Sequence, residues 1–160
     1  MFDFTPLPGL SKPELYDSLH DAAAALIADE PDSIANMANL AALIWQFVPQ
    51  LNWAGFYRLI GEELVLGPFM GNPACVRIAI GKGVCGAAAA TLKTQIVPDV
   101  HAFPGHIACD ANSRSELVVP VIKNGSLIAV IDLDSPVPGR FDREDAAGME
   151  ALAELISHSI

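Results

Sequence analysis

The feature that most constrains this chain is a pair of strongly apolar runs, 116–123 and 126–132, separated by Asn124 and Gly125. Asn-Gly is favoured in two-residue hairpin turns because both central positions must take positive φ. The spacing therefore predicts two adjacent antiparallel strands, and any fold proposed for the chain has to accommodate that hairpin near its C-terminal end.

Helical patterns lie on either side. Ser11, with Glu14 three positions later, forms a capping-box start, and Leu15, Leu19, Ala22, Ala23, Leu26 and Ile27 follow at helical spacing, so a first helix is expected to run to Asp29. Asp32 or Ser33 caps a second helix, with Ile34, Met37, Ala38, Ala41, Ile44, Trp45 and Val48 as its apolar stripe and Pro49 as its stop. From Leu51 the period changes to two: Trp53, Gly55, Tyr57 and Leu59 face one way, and Ala54, Phe56, Arg58 and Ile60 the other. Further strands are expected at 63–68, 75–80 and 95–97, with an alanine-rich short helix at 84–92. Residues 99–113 have no clear period and make a long loop, of the kind that often carries function. Asp142 caps a closing helix to about residue 157, with Met149, Leu152, Leu155 and Ile156 on its buried side. This order predicts one α+β domain over 1–160, a central antiparallel sheet with helices packed against one face.

Composition narrows the function. The 160 residues are 52% hydrophobic, enough for one core without help from disulfides or metal. Nine basic against 19 acidic residues give a formal charge of −10, which repels phosphate backbones and anionic lipid, so neither nucleic acid nor membrane is expected as a partner. Residues 33–57 lack charge but are interrupted by Asn36, Asn39, Gln46, Pro49 and Asn52, and read as a buried helix and strand rather than a span. The first ten residues have no basic n-region, so a cytoplasmic protein is expected. Three cysteines in such a chain point to reactive or buried thiols rather than a disulfide framework.

Groups able to do chemistry concentrate between Cys75 and Asp134. Cys85 follows Gly83 and Val84 at a helix start, where the helix dipole stabilises a thiolate; Cys109 lies in the long loop three residues after His106, a setting suited to a nucleophile. Cys75, at the mouth of a strand, reads equally well as a small buried hydrophobe. His101, His106 and Cys109 are near one another in sequence but lack paired ligand spacing, so no metal site is expected. Glu116 opens one hairpin strand, and Asp132 and Asp134 lie two apart on the other. They either converge as an anionic pocket or are solvated strand-end acids. Trp53 and Tyr57, on one strand face, are core residues or a pocket wall.

The runs Gly83-Val84-Cys85-Gly86, His106-Ile107-Ala108-Cys109-Asp110, Ser113-Arg114-Ser115-Glu116-Leu117-Val118-Val119-Pro120 and Ile131-Asp132-Leu133-Asp134-Ser135 resemble the free methionine-(R)-sulfoxide reductase family. Trp53-Ala54-Gly55-Phe56-Tyr57 and Cys75-Val76-Arg77-Ile78 match it too. The resemblance implies a GAF-type fold, a homodimer, and a pocket enclosing one free amino acid. It implies Cys109 as the attacking thiolate, Cys75 or Cys85 as the resolving thiol, and Glu116, Asp132 and Asp134 as partners of the ammonium and of the sulfoxide oxygen. Trp53 and Tyr57 would receive the S-methyl group. On that reading no cofactor is needed, and an external dithiol such as thioredoxin recycles the enzyme. The rival readings are a non-catalytic GAF sensor of a small ligand and a redox sensor using the same thiols.

Overall fold

Asn124 and Gly125 take φ of 52° and 80°, and Lys123 pairs with Ser126 across them, so the two-residue turn forms as its chemistry requires. The structure, a computed structural model, describes residues 4–105 and 110–160. The hairpin joins β5 (Ser115–Lys123) to β6 (Ser126–Ser135), and β6 pairs in turn with β1 (Trp53–Ile60). Together with β2 (Glu63–Gly71), β3 (Arg77–Ala79) and β4 (Gln95–Val97) they form a six-stranded antiparallel sheet in the order β3-β2-β1-β6-β5-β4.

Four helices complete the fold: α1 (Lys12–Ile27), α2 (Ser33–Phe47), α3 (Gly83–Thr91) and α4 (Arg143–Ile156). The capping box of Ser11 and Glu14 starts α1; the Asp32 carboxylate accepts from the Ile34 and Ala35 amides to start α2. Asp142 does the same for α4 through Glu144 and Asp145. On one face of the sheet, α1, α2 and α4 enclose the larger core, meeting Ala54 and Phe56 of β1, Leu117, Val119 and Val121 of β5, and Ala129, Ile131 and Leu133 of β6.

The expectation that helices cover one face is incomplete, because α3 lies on the other. There Val84, Cys85, Ala88 and Ala89 pack with Trp53, Tyr57, Val118 and Val130. Central strands covered on both faces explain why the hairpin reads as continuous apolar runs rather than an alternation. The alternation of β1 is as expected, with Trp53 and Tyr57 toward α3 and Ala54 and Phe56 toward the large core.

Two helix faces differ from the sequence reading. In α2 the buried stripe runs through Met37, Leu40, Leu43, Ile44 and Phe47, leaving Ile34 and Trp45 partly exposed. The helix is apolar almost all round, so its periodicity does not define a single side. In α4, Leu155 lies outside the buried side formed by Met149, Leu152 and Ile156. The third strand is shorter and the second longer than expected, and the loop after β4 opens with a short 3-10 turn, Val100–Ala102. No helix among the described residues is long and apolar enough to cross a membrane.

The contact of α1 with α4 rests on a glycine. A Cβ at Gly148 would lie 2.2 Å from Cγ of the buried Tyr16, whose hydroxyl donates to Asp145. Gly148→Ala is therefore expected to lower stability by about 1–3 kcal/mol through overpacking, read as a lower urea midpoint at unchanged slope.

Candidate functional site

β-Strand registry places the acids. Glu116 pairs with Asp134 across β5 and β6, and Asp132 lies two residues further along the same face, opposite Gly55 of β1. Side chains two apart on a strand share a face. All three therefore point to the α3 side, into a pocket also lined by Trp53, Tyr57, Asn72, Ile78, Lys82 and Cys85. Of the two readings open at the level of spacing, the structure takes convergence: Glu116 and Asp132 are each only 6% exposed.

The aromatic side chains form one wall. Trp53 stacks on Tyr57, with ring centroids 5.8 Å apart, and on Phe69 at 5.2 Å. The indole Nε1 donates to the Asn72 carbonyl at 3.1 Å and the Tyr57 hydroxyl to the Cys75 carbonyl at 3.0 Å, so the polar edges are satisfied and the ring faces remain apolar. A Cβ on Gly55 would come within 2.4 Å of the Phe69 Cβ, so only glycine lets β2 approach here. The β1–β2 register shifts at the same place, between Gly55 and Tyr57.

Gathering three carboxyl groups in one pocket, two of them buried, has an electrostatic consequence. Burial, with repulsion from Asp132 and Asp134 added, pushes the Glu116 carboxyl well above the usual range. Asp132 is pushed up to about 6 by burial, opposed by hydrogen bonds with Cys85 and Glu116. Asp134 is also pushed well up by burial and the Asp132 charge, against a hydrogen bond from Ser113. The pocket thus keeps carboxyl protons near neutral pH, and can donate one to a ligand oxygen or accept a ligand cation in their place.

Cys85 corrects one expectation. It does sit in the first turn of α3, but its thiol is buried among the acids, and burial followed by the Asp132 and Glu116 charges raises it well above the usual thiol value. The helix dipole acts within a turn and is outweighed by desolvation and negative charge. Cys85 is a free thiol, whereas Cys75 is disulfide-bonded. Cys109 and His106 lie outside the described residues.

Several residues of the site were not singled out by sequence. Asp110 accepts from the side-chain amides of Asn52 and Asn72, both at 3.2 Å, and from the Asn112 backbone at 2.8 Å, and these bonds hold its carboxyl below the usual range. Asn52 also donates to Ser113 Oγ at 3.0 Å. This network ties the end of the long loop to the start of β1 and the end of β2. Asn52, Asn72 and Asp110 are far apart in sequence and form no local motif, so only the fold reveals them.

A six-stranded antiparallel sheet carrying helices on one face and a pocket beside a short helix on the other is the architecture of a GAF domain, and the GAF domain family matches residues 20–160. A solved GAF protein from Burkholderia vietnamiensis, described as a sensor, is 60% identical, with a TM-score of 0.91 over 94% of this chain and 96% of that one. The free methionine-R-sulfoxide reductase of Escherichia coli K12 is 48% identical over 143 residues, which span 89% of this chain and 87% of that protein. The structure of a free methionine-R-sulfoxide reductase from Neisseria meningitidis, in complex with its substrate, aligns with a TM-score of 0.91 at 41% identity, over 96% of this chain and 92% of that one. The chain belongs to the free methionine-(R)-sulfoxide reductase family of GAF proteins.

Proposed function

We propose that this protein reduces free L-methionine-(R)-sulfoxide to methionine by thiol chemistry. The observation that carries the reading is the convergence of Glu116, Asp132 and Asp134 on one pocket against the Trp53–Tyr57 wall, with Glu116 and Asp132 buried. The acids hold the ammonium and protonate the sulfoxide oxygen, while the aromatic wall receives the S-methyl group. Backbone N–H groups of the 99–113 loop bind the substrate carboxylate. A polypeptide methionine has an amide where the free amino acid has an ammonium, and would leave the buried acids unpaired; this selects the free amino acid.

The Cys109 thiolate attacks the sulfoxide. Oxygen passes to the Cys109 sulfur, one proton is taken up from the acids, methionine leaves, and Cys109 is left as a sulfenic acid. The Cys75 thiol then condenses with it, losing water and forming a disulfide. Cys75 as the resolving thiol is supported by its disulfide-bonded state beside a Cys85 that is free and buried. Thioredoxin, a dithiol, returns both cysteines to thiols, and the enzyme works in the cytoplasm as a homodimer.

The test is NADPH oxidation coupled through thioredoxin reductase and thioredoxin, with racemic free methionine sulfoxide as substrate. Consumption is expected to stop at about half the racemate, with a methionyl peptide sulfoxide left untouched. Sensor function, as described for the Burkholderia relative, takes over if free methionine-(R)-sulfoxide is not turned over at all.

A further inference from the structure

Cys85 Sγ, a carboxylate oxygen of Glu116 and one of Asp132 lie within 4.8 Å of one another, and all three residues are buried. They come from the first turn of α3, the start of β5 and the middle of β6, so no ligand-spacing motif announces them in the sequence. A separate observation concerns Asp132 Oδ1. It belongs to a side chain that borders the pocket and is 6% exposed, yet it has no hydrogen-bond partner. The hydrogen bonds of Asp132 with Cys85 and Glu116 leave this oxygen unused, and a buried carboxylate oxygen without a partner is costly, so Oδ1 is available to a cation or a hydrogen-bond donor.

The donor set selects among cations. One sulfur and two carboxylate oxygens suit a borderline, thiophilic ion such as zinc, which takes thiolate at about 2.3 Å and carboxylate at about 2.0–2.2 Å, whereas magnesium prefers six oxygens. Tetrahedral bonds of those lengths set the donor atoms about 3.5 Å apart, so donors now within 4.8 Å of one another need to close by at most about 1.3 Å.

We propose that Cys85, Glu116 and Asp132 form a binding site for one thiophilic divalent cation, with three protein ligands and a fourth position open to the pocket. Binding expels the Cys85 thiol proton and the proton held between Glu116 and Asp132, so uptake of the ion releases protons to solvent. The ion would stand where the substrate ammonium and sulfoxide oxygen are placed above. That zinc and substrate exclude each other rests on the proposed function; that the cation binds does not.

The experiment uses the full chain, reduced and then desalted, titrated anaerobically with Co2+ as the spectroscopic substitute for Zn2+. Wild type is expected to develop thiolate-to-cobalt charge-transfer absorption in the near ultraviolet that saturates at about one equivalent and is erased by Zn2+. A Cys75→Ser, Cys109→Ser double variant should keep that absorption, Cys85→Ser should lose it, and Glu116→Gln should weaken binding at least about tenfold. No charge-transfer band in wild type, or an undiminished band in Cys85→Ser, overturns the site. If circular dichroism shows Cys85→Ser to be unfolded, unchanged affinity in both Glu116→Gln and Asp132→Asn overturns it instead. Free methionine-(R)-sulfoxide is then added to the cobalt form. Displacement of the metal supports a shared pocket, while an unaltered spectrum at saturating sulfoxide leaves the cation site standing and removes the proposed substrate position.

Discussion

Cys109→Ser is expected to abolish reduction of free methionine-(R)-sulfoxide, lowering kcat by at least about a thousandfold. A serine hydroxyl is not ionised at neutral pH and is a poor nucleophile toward sulfur, so on the proposed mechanism the variant lacks the group to which oxygen transfers. On the same proposed mechanism Cys75→Ser separates the two thiol steps. With no resolving partner it should still release about one methionine per chain in a single turnover, then stall as a sulfenic acid that a dimedone-type reagent traps. Rapid-quench measurement of methionine reads both variants. A Cys109→Ser enzyme that retains the first turnover would transfer the nucleophile's role to another cysteine, and loss of the first turnover in Cys75→Ser would name Cys75.

The second large effect is at the acids. Asp132→Asn is expected to lower kcat/KM by about 10²–10⁴-fold, the range for removal of a positioned proton donor, with a further loss when Glu116→Gln is added. The pH profile distinguishes proton donation from simple positioning. If the acid form acts, wild-type kcat/KM falls as pH rises through the ionisation of the acid cluster, and Asp132→Asn reshapes that limb as well as lowering it. A uniform loss with the same profile would assign Asp132 a positioning role.

The same displacement predicts an opposite effect on stability. Asp132 ionises near 6 in the fold against an ordinary value of 3.8, so the folded protein holds a proton that the unfolded chain has released. The stabilisation is complete below about pH 4 and is lost as pH rises through about 6, so Asp132 destabilises the fold at neutral pH. Asp132→Asn should then raise the Tm by a few degrees at pH 7.5, or about that much, and have little effect near pH 4. Activity lost while stability is gained is the expected behaviour of a site that buries charge for function.

How much of this was legible beforehand varies by element. Asn124 and Gly125 specify a turn by their own backbone preferences; Asp32 and Asp142 specify helix starts by accepting from amides two or three residues away, and Ser11 by bonding to the Glu14 carboxylate three residues on. These are local interactions, and the order of elements follows from them. The face of α2 was not legible, because a helix apolar on most sides has no preferred direction until α1 and the sheet cover part of it.

Within the candidate site, the two-residue spacing of Asp132 and Asp134 guarantees a shared face, but only the strand registry brings Glu116 opposite Asp134 and leaves Gly55 beside Asp132. Cys85 shows the sharper divide. Its position at a helix start is a sequence property and argues for a thiolate, whereas its environment is made by β5 and β6, and their carboxyl groups and the exclusion of water push its thiol the other way. The Asn52, Asn72 and Asp110 network is likewise a product of chain segments meeting. The sequence by itself determined the hairpin, the caps and the alternation of β1, because each depends on neighbours a few positions apart. Tertiary structure alone decided which acids and thiol share a buried space, and with it their protonation, because burial and charge repulsion act between residues that only folding brings together.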